Sequence, residues 1–226
     1  MKGITIGLTG QYGHFKRPET NNNPCTFSFM HKVAAIGLLG AVIGVDREKM
    51  ASLVTQLCTD IIYAIRVCTP VVKEAHGFSK RKVPSFERSR RHCEFLREPS
   101  YEITLGNTSE RSRGIFDRFC ERVQKDQSVY RTRFGIECCP CVYELIDTPE
   151  ISEEKTGEFT TDAVFSGAHE ILGNINSLDL IFEQVPVETA SWYRYTQMVG
   201  AVCPFGAVEV KGSHRLLNDR APIWFM

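Results

Sequence analysis

Apolar and polar residues follow one another along the chain in patterns that predict a series of strands and helices. Between Ile4 and Thr9 every second residue is apolar, as in a strand with one buried face. From Val33 to Val45 no side chain carries a charge or an amide, which is typical of a helix buried on all sides. This helix is predicted over 31–59 with a break near Asp46. The next predicted elements are strands at 61–72 and 101–105, a helix at 109–127 and a strand at 133–146.

The order of these elements is βαββαβ, the split motif of ferredoxin-like and RRM domains. We therefore predict an α+β fold, with a ferredoxin-like/RRM domain over residues 1–146. The connection between the second and third strands far exceeds the roughly 2 to 5 residues of a hairpin loop. A connection of this length, from about Lys73 to Pro99, is usually functional or disordered. The acidic stretch after Asp147 is typical of a loop, and short strand patterns beyond it predict a smaller β-rich subdomain over 147–226.

Three glycines lie on one stripe of the first predicted helix. Gly37, Gly40 and Gly44 are spaced at i, i+3 and i+7, and each costs roughly 0.8 to 1 kcal/mol relative to alanine in a helix. A close neighbour is therefore expected along this stripe. It is either a sheet packed tightly beneath the helix, or a nucleic-acid backbone or partner on its exposed side.

Composition and cysteine usage favour a cytoplasmic protein. The apolar run of the first helix is too short for a bilayer, which needs about 20 residues, so we expect no membrane association. The chain begins with a strand pattern, so no secretory signal is expected. The nine cysteines lie mostly within apolar runs, which indicates reduced, packed thiols.

Charge is unevenly distributed, although the formal net charge is zero. Residues 76–97 carry seven cations and two acids, and residues 111–133 carry seven cations and three acids. Residues 147–189 carry ten acids and one lysine. In the long connection, cations alternate with phenylalanines, which is typical of single-strand nucleic-acid binding by phosphate contacts and base stacking. The alternatives are a flexible loop and merely solvated charges.

Part of the sequence resembles a known family. GHFKRPETNNNPCTFSF followed by HKVAAIGLLGAVIGVD is similar to the amino-terminal signature of the Cas-five family of CRISPR-associated proteins, RAMP-type Cascade subunits, here of an I-B-like subtype. REPSYEITL resembles the family's strand after the thumb, and YRYTQMVGAV its C-terminal region. Met30 and His31 depart from the family pattern, which has proline in this approach to the helix.

The resemblance implies an RRM-like domain with a protruding thumb insertion at about 74–99. It implies a subunit that binds and caps the repeat-derived 5′ handle of the guide RNA (crRNA). It also implies contacts with the Cascade backbone subunit and large subunit, and only an indirect relation to target DNA. Its candidate RNA-binding residues in this chain are His14, Lys16, Arg17, Asn21, Asn22, Asn23, Ser28, His31, Lys32, Lys80, Arg81, Lys82, Arg88, Arg90 and Arg91. Exposed amide protons and the positive end of a helix dipole favour phosphate near the helix start. The asparagines can read base edges or 2′-hydroxyls, or only stabilise turns.

The sequence supports an enzymatic function less than it supports RNA binding. The spacing Gly7, Gly10, Gly13 follows a strand but leads into a proline-containing loop, so no nucleotide cofactor is expected. The run CCPC lacks a second ligand pair, so no metal is expected either.

The rival function is a metal-independent endoribonuclease that processes precursor crRNA, as some relatives do with tyrosine, lysine and histidine side chains. Residues of these types in this chain are His92 beside Arg90 and Arg91, His31 beside Lys32, and Tyr63 or Tyr101. They form no assignable catalytic set. We predict no catalytic residue. A third hypothesis is an RNA-binding scaffold unrelated to CRISPR systems.

Overall fold

A four-stranded antiparallel sheet forms the centre of the structure, a computed structural model of the chain. The structure describes residues 1–20, 22–81, 88–191, 194–218 and 221–226. For Lys80, Arg81, Arg88, Ser89, Asn176 and Ser191 it describes the backbone alone.

Helices α1, α2 and α3 are Lys32–Ile43, Arg47–Asp60 and Arg113–Gln124. The strands are, in chain order, β1 (Gly3–Gly10), β2 (Tyr12–Gly13), β3 (Ile61–Val67), β4 (Lys73–Arg81), β5 (Arg88–Arg97), β6 (Ser100–Asn107), β7 (Cys141–Asp147), β8 (Lys155–Thr161), β9 (Phe165–Ser166), β10 (Glu170–Ile171), β11 (Leu180–Ser191), β12 (Arg194–Pro204) and β13 (Val208–His214).

The central sheet has the strand order β3-β6-β1-β7. Its pairs are all antiparallel, with Ile4 opposite Leu105 and Tyr63 opposite the same residue on the other side. The connections β1–α1–α2–β3 and β6–α3–β7 make this the βαββαβ arrangement that the sequence predicts. The predicted α+β, ferredoxin-like fold class is confirmed.

The first predicted helix is two helices, with the break where the sequence places it. Helix α1 ends at Gly44, whose φ of 79° is the left-handed conformation that glycine adopts without strain. Helix α2 begins after Asp46, whose side chain accepts a hydrogen bond from the backbone N of Lys49. The larger apolar residues of α1, including Ile36 and Leu39, are buried in the core that contains the central sheet.

The residues that approach the glycine stripe most closely belong to α2 and to the segment after α3, and not to a sheet beneath the helix. A Cβ at Gly40 would lie 2.7 Å from Sδ of Met50 in α2, and one at Gly44 would lie 2.8 Å from the Val129 side chain. Gly37 lines an open groove instead. The stripe therefore permits close packing at Gly40 and Gly44 and lines a groove at Gly37.

Several predicted boundaries were wrong. The predicted strand 61–72 ends at Val67, and the chain then leaves the central sheet for the hairpin of β4 and β5. The predicted strand 133–146 begins only at Cys141, because residues 133–140 form a turn around the buried Phe134. The acidic stretch, interpreted as a loop, contains strand β8, which pairs with β13.

The hairpin of β4 and β5 occupies the position predicted for the thumb. It joins β2 in a three-stranded sheet of order β2-β5-β4. Register pairs run from Lys73 opposite Leu96 to Arg81 opposite Arg88. This hairpin therefore projects from the edge where the β2–α1 loop, residues 14–31, begins.

C-terminal residues complete the core on both faces of the central sheet. Val185 and Cys203 belong to the main cluster with α1 and the sheet. On the opposite face, Ala64 packs with Ile151 and Leu217. The division into domains at residue 146 stays a prediction.

Each of the nine cysteines is a free thiol, as the sequence indicates. Among the helices that the structure describes, none is long and apolar enough to span a membrane.

Candidate nucleic-acid interface

The asparagine-containing loop lies along the edge of the basic hairpin. The backbone N of Glu94 donates to the carbonyl of Pro24 at 2.9 Å, and the backbone N of His92 donates to Oδ1 of Asn23 at 3.2 Å. Nη1 of Arg91 donates to Oδ1 of Asn22 at 2.9 Å. The loop and the hairpin therefore form one continuous surface.

We call this the hairpin–loop surface and define it as Asn22, Asn23, Arg90, Arg91 and His92. Asn22, Asn23, Arg90 and His92 are exposed, and Arg91 is half-buried. The surface thus presents amides and cations to solvent together. The exposed ring of Phe78 lies on the opposing strand, paired with Arg91.

A groove runs along α1 beside the β2–α1 loop. Its volume is about 470 Å³. Ala34, Gly37 and Ala41 line it from one stripe of α1 and are partly exposed, so a ligand can approach the helix backbone there. The cations of the groove are Lys16, Arg47, Arg131 and Arg133, and its tyrosines are Tyr130 and Tyr195. We call this the α1 groove.

Sequence reasoning missed the contribution of the turn at 130–136. Arg131 and Arg133 are exposed and line the α1 groove together with Lys16. The signal was present as a positive net charge over residues 111–133, but the chain from residue 133 onward was assigned to a strand. Arg133 also lies 3.5 Å from Glu137, an exposed pair of small energetic weight.

Of the four predicted site residues that are buried, His14, Ser28 and Lys32 have internal surroundings. Nδ1 of His14 lies 2.6 Å from the carbonyl oxygen of Glu94, and burial lowers the pKa of His14. Ser28 is buried with its backbone N bonded to Glu183. Burial also lowers the pKa of Lys32 at the start of α1. These side chains shape the loop, and a direct RNA contact for them stays a prediction.

His31 is the N-cap of α1. Its Nδ1 accepts a hydrogen bond from the backbone N of Ala34 at 3.2 Å, which requires the ring proton to be on Nε2. Burial lowers the pKa of His31 to about 3. The ring is therefore neutral near pH 7, and neither nitrogen has a free lone pair for a general base.

Arg17 is held by protein groups. Its Nη2 donates to Oε1 of Glu183, and its Nε donates to the carbonyl of Thr26 at 3.2 Å. The guanidinium also lies over the Phe27 ring, 5.4 Å from the centroid. Its predicted RNA contact is untested.

Other predicted positions fall outside what the structure describes. Asn21 and Lys82 lie outside the described residues. The backbones of Lys80, Arg81 and Arg88 lie in β4 and β5, but their side chains are not described.

The tyrosines proposed for the nuclease alternative are internal. The hydroxyl of Tyr63 donates to the carbonyl of Met30 at 2.6 Å, and Tyr101 is buried in the same core. Burial raises the pKa of both phenols well above the usual range. Of the histidines proposed for cleavage, His92 alone is exposed.

The described residues contain no cluster of three or more histidine, cysteine, aspartate or glutamate side chains suited to a metal ion.

The sheet face opposite the helices lacks the aromatic residues with which RRM domains stack bases. On β1, β3 and β6 this face carries Thr5, Ala64, Arg66, Glu102 and Thr104, following the strand register. Arg66 bonds to Glu102 at 3.0 Å, and Oγ1 of Thr5 lies 2.9 Å from Oγ1 of Thr104. The α1 groove and the hairpin–loop surface are therefore better candidates for RNA contact.

Comparisons with solved structures identify proteins of the same fold. A crystal structure of a CRISPR protein from Archaeoglobus fulgidus gives a TM-score of 0.59 at 12% identity, over 99% of this chain and 98% of that chain. A chain of a CRISPR RNA-guided surveillance complex gives 0.54 at 12% identity, over 92% and 91%. A crystal structure of a Cas protein gives 0.52 at 15% identity, over 98% of both chains.

These structural neighbours are CRISPR-associated proteins, as the sequence resemblance led us to expect. At such low identity the likeness establishes a shared fold. No protein-family model and no curated protein sequence matches the chain.

Proposed function

We propose that this chain, which has the fold of CRISPR-associated proteins, is a Cas-five-type subunit that binds the 5′ handle of a crRNA. The observation that carries the proposal is the junction of the asparagine loop with the basic hairpin, at Asn22 with Arg91 and at Asn23 with His92. The asparagine loop and the hairpin, each predicted from the sequence to bind RNA, meet on one surface.

The chemistry of the two surfaces suits a single-stranded RNA. Exposed cations follow the phosphates, at Arg90 on the hairpin–loop surface and at Arg131 in the α1 groove. The amides of Asn22 and Asn23 pair with base edges or 2′-hydroxyls. Phe78 and Tyr130, each 47% exposed, offer rings for base stacking.

We further propose that the chain works within an RNA–protein complex. One structural neighbour belongs to a CRISPR RNA-guided surveillance complex. By analogy, the partners would be a backbone subunit and a large subunit, with target DNA contacted only indirectly. Isolation of the tagged protein from its host with a guide RNA and sibling subunits would support this role, and its recovery as a lone RNA-free protein would oppose it.

Binding is tested with handle RNA and with an RNA of the same length and scrambled 5′ sequence, across a salt series without metal. Arg90→Gln and Arg131→Gln should each lower the slope of log affinity against log salt by about 0.7, the value for one lost phosphate contact on a single strand. Arg118→Gln, an exposed change on α3 outside both surfaces, is the matched control. Equal affinity for the two RNAs, or slopes that do not change, would contradict the proposal.

The same mixtures test for cleavage. Binding without strand scission is expected, because His31 has no free lone pair and Tyr63 and Tyr101 are buried. Cleavage of 5′-labelled repeat RNA at one position, lost in His92→Gln, would instead establish the endoribonuclease.

A further inference from the structure

A buried carboxylate from the C-terminal part of the chain holds the β2–α1 loop. Glu183 lies on β11, with its side chain 3% exposed. Its Oε2 accepts from the backbone N of Ser28 at 2.7 Å, and its Oε1 accepts from Nη2 of Arg17. A buried carboxylate requires such donors, because leaving it without them costs far more than the bonds return. Glu183 therefore ties two positions of the loop, eleven residues apart, to one strand.

Arg17 is engaged on several sides within the protein. Besides Glu183, it contacts the Thr26 carbonyl through Nε and the Phe27 ring through its guanidinium plane. Nη1 lies 3.7 Å from Glu19. Through Nε and Nη2 this guanidinium is already bonded to protein groups, one of which is a buried carboxylate.

The strand that carries Glu183 is well anchored. Strand β11 pairs with β12 from Leu180 to Ser191. It also contacts α1 and α2, where Oγ1 of Thr55 donates to the carbonyl of Thr189 at 2.8 Å. Glu183 is thus a fixed point to which the loop is attached.

The middle of the loop is held separately on the hairpin, by Arg91 and His92 through Asn22 and Asn23. The loop is therefore fixed at its start, middle and end by residues distant in sequence. Ordering a loop before binding reduces the conformational cost of binding.

We propose that Glu183 is a positioning residue of the RNA site, holding the β2–α1 loop in its binding conformation through Arg17 and Ser28. In this arrangement Arg17 stabilises the loop and contacts no RNA phosphate. The inference rests on the proposed function, because the loop's ligand is taken to be the crRNA handle.

The test compares Glu183→Gln and Arg17→Gln with Glu209→Gln, an exposed change on β13. Hydrogen exchange of loop peptides in the free protein is measured first, and handle-RNA affinity across a salt series second. Glu183→Gln and Arg17→Gln should speed exchange at the loop and weaken affinity about tenfold, the effect of about 1.4 kcal/mol. Their salt slopes should equal the wild-type slope, since no phosphate contact is lost, and Glu209→Gln should match wild type throughout.

Two results would overturn the inference. One is a fall of about 0.7 in the salt slope for Arg17→Gln, which would place Arg17 on a phosphate. The other is unchanged exchange at the loop in Glu183→Gln. If Glu183→Gln does not fold, Ser28→Ala replaces it in the test. This substitution removes only the hydroxyl that lies 3.4 Å from Oε1 of Glu183. Loop exchange and RNA affinity should then change in the same directions but by smaller amounts.

Failure of the proposed function is distinguishable from failure of this inference. A wild-type protein that does not bind handle RNA contradicts the function. The exchange measurement needs no RNA and still decides whether Glu183 orders the loop.

Discussion

At the residue scale, Asp60 shows how a buried carboxylate joins two segments of the fold. Its Oδ2 accepts from Nε of Arg111 and its Oδ1 from Nη2 of Arg111, both at 2.7 Å. The hydroxyl of Ser112 also donates to Oδ2. The end of α2 is thereby fixed to the segment that leads into α3.

Asp60→Asn should destabilise the protein by about 1.5 to 3 kcal/mol, the range for hydrogen bonds to charged groups. The amide has one acceptor oxygen where the carboxylate has two, and it carries no charge to pair with Arg111. Urea unfolding measures the difference. The control is Asp117→Asn, an exposed residue 3.9 Å from Arg113, whose change should cost less than about 0.5 kcal/mol. Equal effects of the two substitutions would refute this role for Asp60.

The same site makes stability depend on pH. Hydrogen bonds from Arg111 lower the pKa of Asp60 below its value in the unfolded chain, about 3.9. A lowered folded-state pKa gives stability that is fully present above the unfolded pKa and is lost as pH falls through the folded pKa. The difference in unfolding free energy between wild type and Asp60→Asn should therefore be constant from about pH 7 to 5 and shrink below about pH 4. A difference that grows in acid would have the wrong sign.

At the element scale, the glycine stripe of helix α1 packs against α2 at one position and lines the α1 groove at another. Gly40 faces Met50 of α2, whereas Gly37 lines the α1 groove. The same substitution at these two positions therefore separates packing from ligand access.

Gly37→Ala should raise stability by up to about 1 kcal/mol through helix propensity and weaken handle-RNA binding about tenfold by moving the ligand off the helix backbone. Gly40→Ala is the matched control. Its Cβ would lie 2.7 Å from Sδ of Met50, a flexible side chain that must shift, so the stability change should be near zero and RNA binding unaffected. Thermal unfolding and RNA titration measure both. Full RNA affinity in Gly37→Ala would remove the α1 groove from the binding site.

At the scale of the whole molecule, the N-terminal sheet and the C-terminal strands share one core. Val185 and Cys203 pack in the cluster of α1 and β1, while Ile151 and Leu217 cover the other face of the sheet at Ala64. A chain ending at residue 146 would expose apolar surface on both faces.

We therefore expect a fragment of residues 1–146 to lack a cooperative unfolding transition and to bind a hydrophobic dye such as ANS, unlike the full chain. Near-ultraviolet circular dichroism during heating and ANS fluorescence measure this. A fragment that unfolds cooperatively and does not increase ANS fluorescence would show that residues 1–146 fold alone.

The sequence predicted what depends on local pattern. Period-two alternation predicted β1, the uncharged run predicted α1, and a break was predicted near Asp46, before α2. Their order then led to the ferredoxin-like sheet, because connection rules leave few topologies. The excess length of the connection indicated an insertion at about 74–99, but its two strands, β4 and β5, were not predicted.

Tertiary structure alone decided which polar groups meet. Arg17 and Glu183 are 166 positions apart, and Arg91 and Asn22 are 69 apart. Periodicity along a chain carries no information about such pairs, so it could not show that Arg17 is bonded to a buried acid. The physical reason is that burial makes a charge costly unless it is paired, and only the folded backbone determines which donor comes within reach.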